Sequence, residues 1–83
     1  MEVITNLVKS MVEGIVDETK DVYVDGSLTE KGYLVEIKVG KDDVGKVIGK
    51  EGRVASAIRT IAKAAGAKNG KRVMVNVFNK PRE

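Results

Sequence analysis

The sequence predicts an α+β fold in two layers, a three-stranded sheet covered on one face by three helices. Three observations predict it. Apolar residues recur at three- and four-residue steps in two separated segments, and at period two in three others. The chain has 83 residues, room for one small core. It contains neither cysteine nor histidine, so the core is held by packing, without disulfides or the common zinc sites. A sheet with one apolar face needs a cover, and amphipathic helices supply it.

The first segment, Glu2 to Val16, places Ile4, Leu7, Val8, Met11, Val12 and Ile15 at helical steps. Gly14 weakens that helix, and Asp17-Glu18-Thr19-Lys20 is a polar break. Asp21 to Leu28 reads as a strand, with Val22 and Val24 alternating against Tyr23 and Asp25. Thr29-Glu30-Lys31-Gly32 turns the chain into a clearer strand, Gly32 to Val39. Tyr33, Val35, Ile37 and Val39 share its inner face; Leu34, Glu36 and Lys38 share the other.

Asp42 or Asp43 is placed to cap a short helix, Val44 to Ile48. Gly49-Lys50-Glu51-Gly52 interrupts it, and a longer helix runs from Arg53 to Ala65 or a little beyond. At about 100° per residue, Val54, Ile58, Ile61, Ala62 and Ala65 face the core, while Arg59 and Lys63 point away. Gly66 or Asn69-Gly70 stops this helix. Lys71 to Phe78 is the last strand, with Val73, Val75 and Val77 inward, and residues 79–83 form a short charged tail containing Pro81. The order is αββααβ in one domain, residues 1–83.

The same composition excludes most catalytic apparatus. Without histidine or cysteine there is no Ser-His-Asp or Cys-His arrangement and no His-ligated metal. No enzyme activity, cofactor or metal site is expected. No apolar run approaches the roughly 20 residues of a membrane span, and the acidic, patterned N-terminus does not read as a leader. A cytoplasmic protein is expected.

The net charge of +3 is unevenly spread. Residues 1–40 carry four lysines against eight acids, a net −4; residues 41–83 carry eleven lysines and arginines against four acids, a net +7. A basic half on a small domain is the footprint of a polyanion binder, or an uneven solvated surface.

Three phosphate-loop patterns compete in the basic half. Gly40 to Lys46 fits G-x-x-x-x-G-K after a strand, but Val47 stands where a magnesium-holding hydroxyl is required. The dinucleotide pattern G-x-G-x-x-G is absent. Gly49-Lys50-Glu51-Gly52 is a G-x-x-G loop between two helices. Its glycines let the backbone approach a ligand closely. The unpaired N–H groups opening the next helix suit a phosphate, and Lys46, Lys50 and Arg53 add positive charge. A bare G-x-x-G equally makes a helix corner; the run VIGKEGRVASAIRTI after a ββ hairpin and before a last strand is more specific.

That run, Val47-Ile48-Gly49-Lys50-Glu51-Gly52 followed by Ile58, resembles the signature of the KH domain. The αββααβ order resembles its type II arrangement. Over almost its whole length, including GKRVMVNV, the chain is similar to the small stand-alone bacterial KH proteins of the KH-domain RNA-binding protein A (YlqC-like) family. KH domains clamp about four nucleotides of single-stranded RNA or DNA with this loop. The resemblance implies that Gly49, Lys50, Glu51 and Gly52 clamp the phosphates. It implies that Gly45, Lys46, Ile48, Arg53, Val54 and Ala57 flank an apolar groove for the bases. Single-stranded RNA is the partner it implies, with a post-transcriptional regulator or RNA chaperone as the role. It also implies self-association as a homodimer, or a heterodimer with a larger KH-containing protein.

Glu51 is acidic where a phosphate approaches, and Lys50 and Arg53 offset it. Tyr23, Tyr33 and Phe78 are read as core or edge residues rather than base stackers. Asp17-Glu18 and Asp42-Asp43 are read as solvated or capping pairs rather than acid/base or metal sites. Lys68, Lys71 and Arg72 form either a second phosphate contact or a solvated rim. Met11 and Met74 are assigned to the core, and apolar surface there or on the alanine face, Ala57 and Ala64, is available for dimerisation.

Overall fold

A computed structural model describes residues 2–16 and 19–79. The break at Asp17-Glu18 and the tail residues 80–83 lie outside them. The elements are α1 (Glu2–Glu13), β1 (Tyr23–Thr29), β2 (Gly32–Val39), α2 (Val44–Ile48), α3 (Arg53–Lys68) and β3 (Val73–Asn79). Single 3-10 turns at Thr19–Asp21, Lys41–Asp43 and Lys50–Gly52 link them. The αββααβ order is as expected.

Ile4, Val8 and Val12 recur every four residues along α1, and all three are fully buried. The helix ends at Glu13, three residues before the expected Val16, where Gly14 begins a turn. On β2 the alternation is complete: Tyr33, Val35, Ile37 and Val39 are buried and the residues between them are not. β1 begins two residues later than expected, because Thr19–Asp21 coils into a 3-10 turn. Val22 is buried just ahead of it and Val24 is half-buried within it. Tyr33, Val73 and Val75 join the core, and β3 extends through Asn79, so the tail begins one residue later than expected.

The sheet has the order β1-β2-β3. β1 and β2 are antiparallel across the two-residue turn Glu30-Lys31, pairing Thr29 with Gly32 and Tyr23 with Lys38. β3 lies parallel to β2, pairing Val35 with Val75 and Ile37 with Val77. A parallel pair needs a long crossover, and α2 and α3 provide it. Opposite residues share a face, so the register also defines the uncovered face. Its rows are Ser27–Leu34–Met74, Asp25–Glu36–Asn76 and Tyr23–Lys38–Phe78. Met74 is half-buried there, outside the core, and Met11 packs against the core's margin.

The buried side of α3 differs from expectation. Ala55, Ile58, Ala62 and Gly66 are buried, Val54 and Ala65 are half-buried, and Ile61 is 45% exposed. At 100° per residue the inward stripe is turned by about 60° from the expected one. The helix meets the sheet through its small residues because they permit close approach. Gly66 shows how close: a Cβ there overlaps Val73 Cγ2 and lies 2.9 Å from the Lys71 carbonyl oxygen. Gly66 is therefore an interior contact and not the stop; Asn69-Gly70 ends the helix, with Gly70 at φ 68°.

Candidate nucleic-acid interface

The loop between α2 and α3 is built from left-handed backbone. Gly49 has φ 76°, Glu51 φ 58° and Gly52 φ 75°. Gly49 N–H closes α2 by donating to the Gly45 carbonyl at 2.8 Å. At Gly49 a side chain is excluded: a Cβ overlaps Val54 Cγ2 and lies 2.9 Å from the Val54 nitrogen. At Gly52 nothing lies within 4 Å of a Cβ, so only φ favours glycine. Gly52 is the N-cap of α3, and its side of the helix has no side-chain cap. Arg53 N–H donates back to the Lys50 carbonyl in the 3-10 turn, and the positive end of the dipole of this 16-residue helix faces the loop.

Around that opening the charges are exposed. Arg53 lies 3.7 Å from Glu51, both well solvated, so the acid of the loop is offset by its neighbour at little energetic cost. Lys50 is exposed beside them. Lys46 is placed differently. Its ammonium lies 3.7 Å from Asp43, whose side chain is buried. Asp43 thus makes an ion pair rather than the expected side-chain cap on α2. Gly45 and Lys46 lie inside α2, so the G-x-x-x-x-G-K pattern forms no open phosphate loop.

Beside the loop, a groove runs between α3 and the free edge of β3. Ile48, Gly52, Ala55, Arg59, Asn76, Val77 and Phe78 line it. The structure brings Ile48 and Gly52 of the expected set to this groove and adds five residues. Ala55 and Arg59 come with the rotation of α3. Asn76, Val77 and Phe78 come from the edge strand. Arg59 does not point away as expected: its Nε donates to the Val75 carbonyl at 3.1 Å, capping one acceptor of the free edge. A basic residue one turn from Ala55 was the available signal, and it becomes informative only once β3 is known to be the neighbouring edge.

Val54 and Ala57 lie elsewhere. With Met11, Ile15, Arg53, Ile58 and Ile61 they line a second, apolar hollow on the α1 side of α3. Arg53 thus stands between the loop and this hollow. Lys68 ends α3, and Lys71 and Arg72 precede β3 at its far end, Arg72 roughly 20 Å from Phe78 at 3.3 Å per residue. Among the described residues no cluster of three His, Cys, Asp or Glu could hold a metal ion. No helix among them is long and apolar enough to cross a membrane.

The αββααβ order, the mixed sheet and the G-x-x-G loop define a type II KH domain. The KH domain of the KhpA/KhpB family matches residues 5–77, and the chain belongs to that family, which is not one of enzymes. "RNA-binding protein KhpA" of Clostridium perfringens is 46% identical over 72 residues, covering 87% of this chain and 96% of that protein. The protein of the same name from Mycobacterium bovis is 43% identical over 77 residues, 93% and 92% of the two chains. Among solved structures, Aquifex aeolicus Era bound to GDP·AlF4− is similar, with a TM-score of 0.68 at 18% identity. The likeness covers 94% of this chain but 30% of that one, and at this identity it speaks to the fold alone.

Proposed function

We propose that this protein is a non-catalytic, cytoplasmic binder of single-stranded RNA, its one KH domain spanning residues 1–83. The Gly49–Gly52 loop clamps the phosphate backbone, and the bases enter the groove between α3 and β3. The observation that carries this reading is the left-handed loop at the N-terminus of α3, which no side chain caps, directly beside that groove. Lys50, Arg53 and the helix N–H groups supply positive charge to the backbone. Ile48, Ala55, Val77 and Phe78 offer apolar contact, while Arg59 and Asn76 offer hydrogen bonds to base edges. The relatives named as RNA-binding proteins support it. Such a protein acts as a post-transcriptional regulator or RNA chaperone.

The test replaces Lys50 and Glu51 with Asp together. Both are exposed, and aspartate tolerates the left-handed conformation of position 51. RNA binding is expected to vanish while the melting temperature barely moves. Unchanged RNA affinity in a folded double variant refutes the reading.

A second reading is an adaptor that dimerises, or pairs with a larger KH-containing protein, and has weak RNA affinity of its own. The apolar hollow beside Ile61 favours it. Light scattering at low concentration separates the two: a strict monomer that binds RNA leaves only the first.

A further inference from the structure

The helices cover one face of the sheet and leave the other open. On the open face, the row at the clamp end is Tyr23–Lys38–Phe78. The chain has only three aromatic residues. Tyr33 is in the core, while Tyr23 is 47% exposed and Phe78 42% exposed. Both aromatics outside the core therefore fall in a single row, one on each edge strand, with a lysine between them. Two strand spacings separate them, about 10 Å, too far for the rings to stack on each other.

The row is continuous with the groove. Phe78 belongs to both, and Asn76, in the next row, also lines the groove. A strand lying in the groove therefore meets the open face by crossing the free edge of β3.

We propose that this row is a stacking platform for single-stranded RNA leaving the groove, one base resting on Phe78 and another, further along the strand, on Tyr23. The proposal rests on the clamp-and-groove reading. Every base has a π-face, so such a platform adds affinity with little sequence preference. The charges on this face favour bases over phosphates. Lys38 lies 3.5 Å from Asp25, and Glu36 sits in the same row as Asp25. Two carboxylates against one lysine leave this face without net positive charge. The rings do the binding, and the backbone turns to solvent.

The test compares a four-nucleotide RNA with an eight-nucleotide RNA that begins with the same sequence. Tyr23→Leu keeps the apolar bulk and removes the π-face; Tyr23 lies outside the groove, so tetramer affinity is expected to be unchanged. Octamer affinity is expected to fall roughly tenfold, within the range seen for one stacked base. Ultraviolet irradiation is expected to crosslink Tyr23 to the octamer and not to the tetramer. Octamer affinity unchanged by Tyr23→Leu overturns the platform, as does an equal loss for both lengths. If Tyr23→Leu instead releases a bound protein while octamer affinity stands, the row is a protein surface and the proposal is overturned. The double variant at Lys50 and Glu51 separates the two levels. Lost tetramer binding there, with an octamer indifferent to Tyr23, leaves the groove reading intact and removes only the platform. Tetramer binding that survives the double variant removes both.

Discussion

Gly49→Ala and Gly52→Ala alter the two glycines of one motif, yet the structure predicts very different consequences for them. Gly49 has φ 76° and ψ 176°, a region populated almost only by glycine, where another residue costs about 1–3 kcal/mol. Its new Cβ also overlaps Val54 Cγ2 and lies 2.8 Å from Val54 Cβ and 2.9 Å from its nitrogen. Forcing extra volume into packed surroundings costs a further 1–3 kcal/mol or so. Gly52, at φ 75° and ψ 13°, is ordinary left-handed backbone, about 1–2 kcal/mol for alanine, with nothing within 4 Å of the Cβ. The loss of unfolded-chain freedom is common to both and cancels. Gly49→Ala is therefore expected to be less stable than Gly52→Ala by about 2 kcal/mol. For a domain of this size that is a gap of roughly 10 °C in melting temperature, using 4–8 °C per kcal/mol. Thermal melts followed by circular dichroism, with urea titrations to compare m-values, measure it. Equal melting temperatures, or a less stable Gly52→Ala, would show that contact with Val54 does not shape the loop.

Three further outcomes are expected. Gly66→Ala should destabilise by about 2 kcal/mol in urea unfolding although alanine is the better helix former by about 1 kcal/mol, because its Cβ strikes Val73; a stabilised variant would contradict the close α3–β3 contact. Arg59→Ala should lose about 1 kcal/mol of stability with its bond to the Val75 carbonyl and weaken tetramer binding by calorimetry. Arg59→Lys should not restore either, since lysine lacks the planar fork, and full rescue would mean that charge alone matters. The logarithm of RNA affinity should fall linearly with that of salt concentration, by about 0.7 per neutralised phosphate, and Lys50→Ala should flatten the slope by about that amount; an identical slope in the variant would remove Lys50 from the phosphate contacts.

Much of this architecture is legible in the chain. Alternation along Tyr33 to Val39 assigns β2 and its inner face, because side chains in a strand point alternately to opposite sides. The four-residue steps of Ile4, Val8 and Val12 assign α1 in the same way. The glycine loop is legible because left-handed backbone and close approach both select glycine. The core face of α3 is less so. Periodicity weights large apolar residues, and Ile61 and Val54 drew the expected stripe toward them. Packing chose Ala55 and Gly66 instead, since small residues bring the helix nearest to β3. One rotation accounts for three outcomes: Arg59 swings onto the edge of the sheet, Val54 and Ala57 leave the groove, and Ile61 is left exposed.

Element order, the two-layer class, the inner faces of the strands and the position of the loop can all be read from the chain. Each follows from local periods and from backbone angles that a few residue types permit. The place of β3 came from the tertiary structure: it runs parallel to β2, with a free edge beside α3. The tertiary structure alone decided that Arg59, Asn76 and Phe78 share a groove, and that Tyr23 and Phe78, 55 residues apart in the chain, fall in one row. A period of two says which side of a strand a residue faces. It says nothing of the strand's partner or register, which depend on contacts between segments far apart in sequence.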